Sequence, residues 1–96
     1  MFTHVVLFKL KDNSKENMEK ARDLLLSMEG KIEYLKGLTV GMDMLFTERS
    51  YDICLITTFD NQEEMDKYQV HEYHVGTVLK NLKPMLEASK ACDFVS

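Results

Sequence analysis

Apolar residues follow two different patterns along this 96-residue chain, and the order of those patterns limits the possible folds more than any other feature. Segments typical of β-strands, either alternating or rich in β-branched and aromatic residues, occupy residues 2–10, 38–46, 52–59 and 90–96. Spacings of three and four, typical of amphipathic helices, fill the gaps after the first and third strands. The order β-α-β-β-α-β predicts one domain over residues 1–96, with an α+β, ferredoxin-like fold and an antiparallel four-stranded sheet.

Short polar segments indicate where the two helices begin and end. Asn13 and Asp60 each precede a glutamate by three residues, which predicts a capping-box-like start for each helix. Because proline cannot continue a helix, Pro84 predicts the end or a bend of the second helical region. The apolar stripe of the first helix is Met18, Ala21, Leu25, Met28, Ile32 and Leu35. That of the second region is Met65, Tyr68 and, after an irregularity at residues 69–71, Val75, Val78, Leu79, Leu82 and Leu86.

Apolar residues of the first three strands lie on both faces of the predicted sheet. Right-handed crossovers place the strands in the order 4-1-3-2 and put both helices on one face. In the first strand, His4, Val6 and Phe8 share one side, and Val5 and Leu7 share the other. A monomer would expose a large apolar patch on the side without helices, which soluble proteins avoid. The sequence therefore predicts a homodimer joined sheet face to sheet face, as a homodimeric α/β barrel.

Composition and charge argue against several classes of partner. Twelve Lys and Arg against sixteen Asp and Glu give a net charge of −4, so no nucleic-acid binding is expected. The sequence has no apolar run long enough to span a membrane and no signal-peptide pattern at its start, so no membrane association is expected. Cys54 and Cys92 fall on non-adjacent strands in the predicted order, which predicts free, largely buried thiols in a cytoplasmic protein.

Groups that can transfer protons are concentrated after the start of the second helix. Tyr68, His71 and His74 are spaced so that a helix brings them together on consecutive turns. A phenol and an imidazole can together hold and deprotonate a carbonyl compound. The residue types alone favour a simpler interpretation, in which Tyr68 packs at a helix end and the histidines cap carbonyls or face water. A zinc site of His4, His71 and His74 lacks a fourth ligand with convincing spacing, so no metal is predicted.

The chain also resembles a known family in a series of short segments. They are Thr3-His4-Val5-Val6-Leu7-Phe8-Lys9-Leu10, Val40-Gly41, Ser50-Tyr51-Asp52, Phe59, Tyr68-x-x-His71-x-x-His74-Val75 and Asp93-Phe94. In this combination, which covers essentially the whole chain in order, the sequence is similar to the stress-responsive A/B barrel, or Dabb, proteins. The resemblance implies a dimeric α/β barrel with a ferredoxin-like fold, in agreement with the patterns above.

The resemblance implies less about function than about fold. Most members have no assigned activity, whereas some plant members are polyketide cyclases that close a linear polyketide by an aldol step. The working tyrosine and histidine of those cyclases match Tyr68 and His74, and two further family histidines match His4 and His71. This chain has Glu72 where the family usually has proline. The wider superfamily also includes cofactor-free monooxygenases.

The sequence thus predicts a small dimeric protein that binds an apolar or carbonyl-bearing metabolite between sheet and helices, without a cofactor. In the enzymatic version His74 is the general base, Tyr68 polarises the carbonyl, and His4 and His71 contribute to substrate binding. Tyr68, His74 and His4 are expected to converge on one cavity. The alternative is a non-enzymatic, stress-responsive or structural dimer whose cavity is packed shut.

Overall fold

The computed structural model describes all 96 residues, which form four strands and three helical segments. The strands are β1 (Phe2–Leu10), β2 (Gly37–Met42), β3 (Ile53–Phe59) and β4 (Leu86–Val95). The helices are α1 (Lys15–Leu26), α2 (Gln62–Gln69) and α3, a continuous segment made of a π-helix (His74–Leu79), an α-helical turn (Lys80–Leu82) and a 3₁₀ turn (Lys83–Met85). The order of elements confirms the ferredoxin-like α+β fold.

The sheet has the order β2-β3-β1-β4, and every neighbouring pair of strands is antiparallel. This order confirms the one predicted from right-handed crossovers. Strand β1 is therefore central and pairs along its whole length with β4 and along most of its length with β3. His4 lies between Thr57 of β3 and Asp93 of β4, so this histidine sits in the middle of the sheet.

The helix starts differ from the predicted ones by one residue each. Ser14 caps α1, where its hydroxyl accepts a hydrogen bond from the amide of Asn17, and Asn61 caps α2 through its side-chain oxygen and the amide of Glu64. The predicted cap Asn13 instead donates its side-chain amide to the buried carboxylate of Asp52. Both true caps are short polar residues of the preferred cap types, so the prediction failed only in choosing among adjacent candidates.

Two elements are shorter than their apolar patterns suggested. Helix α1 ends at Leu26, and turns continue the chain to Gly30, whose φ of 77° is the left-handed conformation that glycine adopts readily. Strand β2 ends at Met42 because the carboxylate of Asp43 accepts a hydrogen bond from the amide of Phe46 and turns the chain. The apolar residues 44–46 consequently lie in an exposed loop rather than in the strand.

Strand β4 is longer than predicted and starts at Leu86 instead of Lys90, so the prediction that Leu86 belongs to the second helical region is wrong. Its residues are mostly exposed because β4 is an edge strand, so the apolar pattern that would reveal a strand is weak there. Pro84 lies in the 3₁₀ turn that ends α3, which confirms its predicted role.

Helices pack against only one of the two faces of the sheet. All three helices contribute to a core on one face, the covered face, where Phe8, Ile53, Leu55 and Phe59 are buried. No helix lies on the other face, the open face, which the alternation of the strands and their register assign to Val5, Leu7, Cys54, Ile56, Cys92 and Phe94. The predicted apolar second face is therefore present and uncovered in a single chain.

Both cysteines are free, and β1 separates their strands, in agreement with the predicted absence of a bridge. The prediction that both are largely buried is wrong: Cys92 is exposed on the edge strand β4, and Cys54 is only partly buried. No helix of the chain is long and apolar enough to cross a membrane.

Candidate active site

A cavity of about 190 Å³ lies between the covered face of the sheet and the helices. Its wall combines four residues of β1 and β3, one of α1 and five of α2 and α3: His4, Val6, Phe8, Leu55, Leu25, Tyr68, Gln69, His74, Val78 and Leu79. Seven of these ten side chains are hydrophobic, counting the tyrosine. The structure thus brings His4, Tyr68 and His74 to one small, mostly apolar space.

The π-helix at the start of α3 determines which of its residues reach the cavity. In a π-helix the backbone hydrogen bond spans five residues, so steps of four and five return a side chain to the same side. His74, Val78 and Leu79 follow these steps and all line the cavity. π-helical segments are rare and are frequently found at functional sites.

Tyr68 is fully buried, and its ring lies 4.4 Å from the ring of His74 and 5.0 Å from that of Phe59, measured between centroids. Its hydroxyl donates to the sulfur of Met28 at 3.7 Å, and a thioether is a weak acceptor. Burial raises the pKa of the Tyr68 phenol well above its ordinary value. The phenol is therefore neutral at physiological pH, and its hydroxyl has only a weak hydrogen-bond acceptor within the protein.

His74 presents a ring nitrogen that can accept a proton. Its Nδ1 lies 3.1 Å from the backbone carbonyl oxygen of Gln69, and because a carbonyl only accepts, Nδ1 carries the hydrogen. Burial lowers the pKa of His74; the Gln69 carbonyl opposes this shift in part, and charge on His4 or His71 adds to it. The neutral ring consequently leaves Nε2 unprotonated at pH 7.

His4 is held from two sides. Its Nδ1 is hydrogen-bonded to Oδ1 of Asp93, the residue directly opposite on β4, and its Nε2 lies 3.4 Å from the side-chain nitrogen of Gln69. Gln69 therefore contacts both histidines of the cavity, His74 through its backbone carbonyl and His4 through its amide. The sequence patterns singled out neither Asp93 nor Gln69 as a site residue; only a correct register between β1 and β4 could have indicated Asp93.

His71 does not line the cavity. Its Nδ1 accepts a hydrogen bond from the backbone amide of Tyr73 at 3.1 Å, and its ring packs edge-on against Tyr34, with centroids 6.4 Å apart. Because the chain between α2 and α3 is not regular helix, the expected stacking of residues 68, 71 and 74 on consecutive turns is broken at His71. The neighbouring Glu72 is exposed.

No group of three or more His, Cys, Asp or Glu side chains is arranged to hold a metal ion. A larger hollow of about 520 Å³ lies at the open face beside residues 41–54, but no histidine lines it. The cavity of about 190 Å³ is therefore the one whose wall contains histidines.

Comparison with known proteins gives a family and a fold. The sequence model of the stress responsive A/B barrel domain (Dabb) matches residues 2–96. No curated protein matches the chain.

Several solved structures share the fold. A dimeric ferredoxin-like protein of unknown function from Bacteroides fragilis is 26% identical, with 99% of this chain and 95% of that chain covered and a TM-score of 0.83. A dimeric ferredoxin-like protein of unknown function from Thermobifida fusca is 25% identical, with coverages of 99% and 90% and a TM-score of 0.83. A hydroxynitrile lyase from Passiflora edulis matches with a TM-score of 0.83, and the match covers 99% of this chain and 92% of the lyase chain. Because the two sequences are only 12% identical, this match shows a shared fold alone.

Proposed function

Because the chain belongs to the stress responsive A/B barrel domain family, we propose that it binds a small carbonyl-bearing compound in the cavity formed by His4, Tyr68 and His74. The observation that carries the proposal is the convergence of these three side chains on one mostly apolar space. An apolar wall with a few polar groups is the usual form of a small-molecule site.

The size of the cavity limits the ligand. Ligand pockets usually measure about 300–1,000 Å³, whereas this one measures about 190 Å³. An engineered apolar cavity of about 150 Å³ holds benzene. The ligand, or the part of it that enters, should therefore have about six to ten non-hydrogen atoms, the size of cyclohexanone or acetophenone.

The polar groups suit a carbonyl compound with a hydrogen on the adjacent carbon. Tyr68 offers a hydroxyl whose present partner is a weak sulfur acceptor, so a carbonyl oxygen is a better acceptor for it. His74 offers an unprotonated Nε2 at neutral pH. We assign His74 as the general base that removes the α-proton and Tyr68 as the donor that holds the oxygen, a cyclase-like reaction class that needs no cofactor.

The alternative function is a non-enzymatic dimer, and the observation that favours it is the complete burial of Tyr68 against Phe59 and Met28. In that case Tyr68 stabilises the core and the cavity holds nothing. The two functions differ in whether a ligand stabilises the protein and in what Tyr68→Phe does to that response.

The quaternary structure and the location belong to the same proposal. We place the dimer contact on the open face, in line with the relatives described as dimeric. The two unpaired cysteines favour a reducing compartment, and on this basis we propose a cytoplasmic location.

A thermal-shift titration with cyclohexanone and acetophenone tests the proposal. A ligand at 100 times its dissociation constant adds about 2.7 kcal/mol to stability, so a bound ketone should raise Tm clearly. His74→Ala and Tyr68→Phe should reduce the shift, whereas His71→Ala and Tyr34→Phe, which change the same residue types outside the cavity, should retain it. No shift with either ketone, or shifts unaffected by His74→Ala and Tyr68→Phe, would favour the non-enzymatic dimer.

A further inference from the structure

Two hydrogen-bond donors in the cavity wall have methionine sulfurs as their partners. The Tyr68 hydroxyl donates to the sulfur of Met28 at 3.7 Å, and the side-chain nitrogen of Gln69 donates to the sulfur of Met65 at 3.3 Å. Both methionines are buried, and a thioether is a weak acceptor. Each donor would therefore gain a stronger hydrogen bond from an oxygen atom that enters the cavity.

The NH₂ group of Gln69 also faces His4. Nδ1 of His4 is hydrogen-bonded to the carboxylate of Asp93, and because a carboxylate only accepts, the hydrogen of the ring lies on Nδ1. Nε2 of His4 is then an acceptor, which explains why the NH₂ end of the Gln69 amide, rather than its oxygen, lies 3.4 Å away. This contact is long for a hydrogen bond, so the second partner of the amide is weak as well.

Resting on the proposed function, we propose that Gln69 is a further catalytic residue, whose side-chain NH₂ donates, together with the Tyr68 hydroxyl, to the oxygen of the bound carbonyl compound. Gln69 directly follows Tyr68 in α2, and both line the cavity. The other polar side chains of the wall are His4 and His74, and each uses its Nδ1 hydrogen on an acceptor of the protein. Only Tyr68 and Gln69 therefore have hydrogens to offer a ligand oxygen.

Two donors on one oxygen suit the removal of an α-proton from a ketone. Nε2 of His74 takes the proton, the electron pair of the C–H bond forms a carbon–carbon double bond, and the carbonyl π electrons move onto oxygen. The products are an enolate and the His74 imidazolium, while Tyr68 and Gln69 keep their protons and hydrogen-bond the negatively charged oxygen. Return of the proton from His74 to carbon restores the ketone. Fixed donors that face a developing negative charge commonly make a large contribution to catalysis.

The side chain and the backbone of Gln69 serve the site separately. The backbone carbonyl oxygen of Gln69 accepts from Nδ1 of His74 and leaves Nε2 of that ring unprotonated, whereas the side-chain amide provides the donor. A substitution at Gln69 removes the amide and keeps the carbonyl. The base is therefore retained in such a variant, and the contribution of the donor can be measured by itself.

The infrared carbonyl stretch of bound cyclohexanone, labelled with ¹³C at the carbonyl carbon, tests the proposal. Each hydrogen bond to a carbonyl oxygen lowers the stretching frequency, so the wild-type complex should show the lowest band. Gln69→Leu and Tyr68→Phe should each move the band part of the way towards its position in an apolar solvent. Gln62→Leu, which changes an exposed glutamine at the start of the same helix, should leave the band in place.

A second measurement is the deuterium exchange of the α-protons of cyclohexanone at a saturating concentration of the ketone. Exchange should slow at least tenfold in Gln69→Leu, because a donor to the enolate oxygen is lost, and should keep its wild-type rate in Gln62→Leu. Gln69→Met, which keeps the length of the side chain and lacks the NH₂ group, should give the same result, so the conclusion does not depend on how one replacement packs.

The proposal and the function on which it rests fail on different observations. If cyclohexanone and acetophenone leave the Tm of the wild-type protein unchanged, the proposed function is wrong. If cyclohexanone raises Tm but Gln69→Leu and Gln69→Met keep both the wild-type carbonyl band and the wild-type exchange rate, the ketone binds without Gln69, and only the role of Gln69 is overturned.

Discussion

The two faces of one sheet are built from the same strands and end in different environments. On the covered face, Ile53 and Phe59 are 1% and 0% exposed, whereas on the open face Leu7 and Phe94 are 37% and 45% exposed. Both faces are apolar, but only the covered face has helices over it. The difference teaches that in this small domain the core and the candidate site share one face, while the other apolar face is left without cover.

Strand β4 contributes neighbouring residues to both faces of the sheet. Asp93 points to the covered side and hydrogen-bonds His4, while its sequence neighbours Cys92 and Phe94 lie on the open side. Since successive residues of a strand alternate between faces, a single edge strand serves the site and the proposed contact between protomers.

The largest expected effect comes from truncating the covered face. Phe59→Ala should destabilise the protein by about 3–5 kcal/mol, because it removes a fully buried aromatic ring and leaves a cavity. Ile56→Ala, on the same strand but facing the open side, is the matched comparison. Urea denaturation at one protein concentration gives both values, and a Phe59→Ala cost no larger than that of Ile56→Ala would contradict the division of the faces.

A charge on the open face should separate the protomers. Leu7→Lys buries a cation in the proposed contact, so the sedimentation mass should fall from about twice 11.2 kDa to 11.2 kDa with the fold retained by circular dichroism. Val70→Lys, an exposed apolar position away from the sheet, should remain dimeric. A wild-type protein that sediments as a monomer, or a Leu7→Lys dimer, would exclude the open face as the contact.

A smaller effect should appear in the pH dependence of stability. Burial lowers the pKa of His74 in the folded protein, so the unfolded chain binds more protons in this range. Its contribution is fully present above about pH 6.5 and is lost as the pH falls towards the folded pKa. Thermal melts from pH 8 to pH 5 should show Tm falling less steeply in His74→Gln than in wild type; identical slopes would mean that His74 is not buried as a neutral ring.

The order of the elements, together with right-handed crossovers, was sufficient to predict the strand order, and the alternation of apolar residues was sufficient to predict the two faces. The alternation succeeds at β1 because apolar residues such as Phe8 and Leu7 lie on opposite faces of the strand. The apolar pattern failed at β4, because an exposed edge strand needs no such pattern. The prediction of a helix cap failed at Asn13, because several polar residues in succession can cap a helix.

The site was predictable in part. Helical spacing and family resemblance together indicated Tyr68 and His74, which do line the cavity. The same spacing also included His71, which the irregular chain between α2 and α3 turns away. Asp93 was beyond a pattern-based prediction, because its role depends on the cross-strand partner of His4, and that pairing is a long-range property of the sheet.

The most direct test of the account asks on which face a ligand binds. Methyl-labelled protein is titrated with cyclohexanone, and NMR shifts are followed at Val6, Leu25 and Val78 in the cavity wall and at Val5 and Ile56 on the open face. We predict saturable shifts at the three cavity residues, with the two open-face residues unaffected. Shifts confined to the open face, or no saturable shifts, would contradict the assignment of the His4–Tyr68–His74 cavity as the binding site.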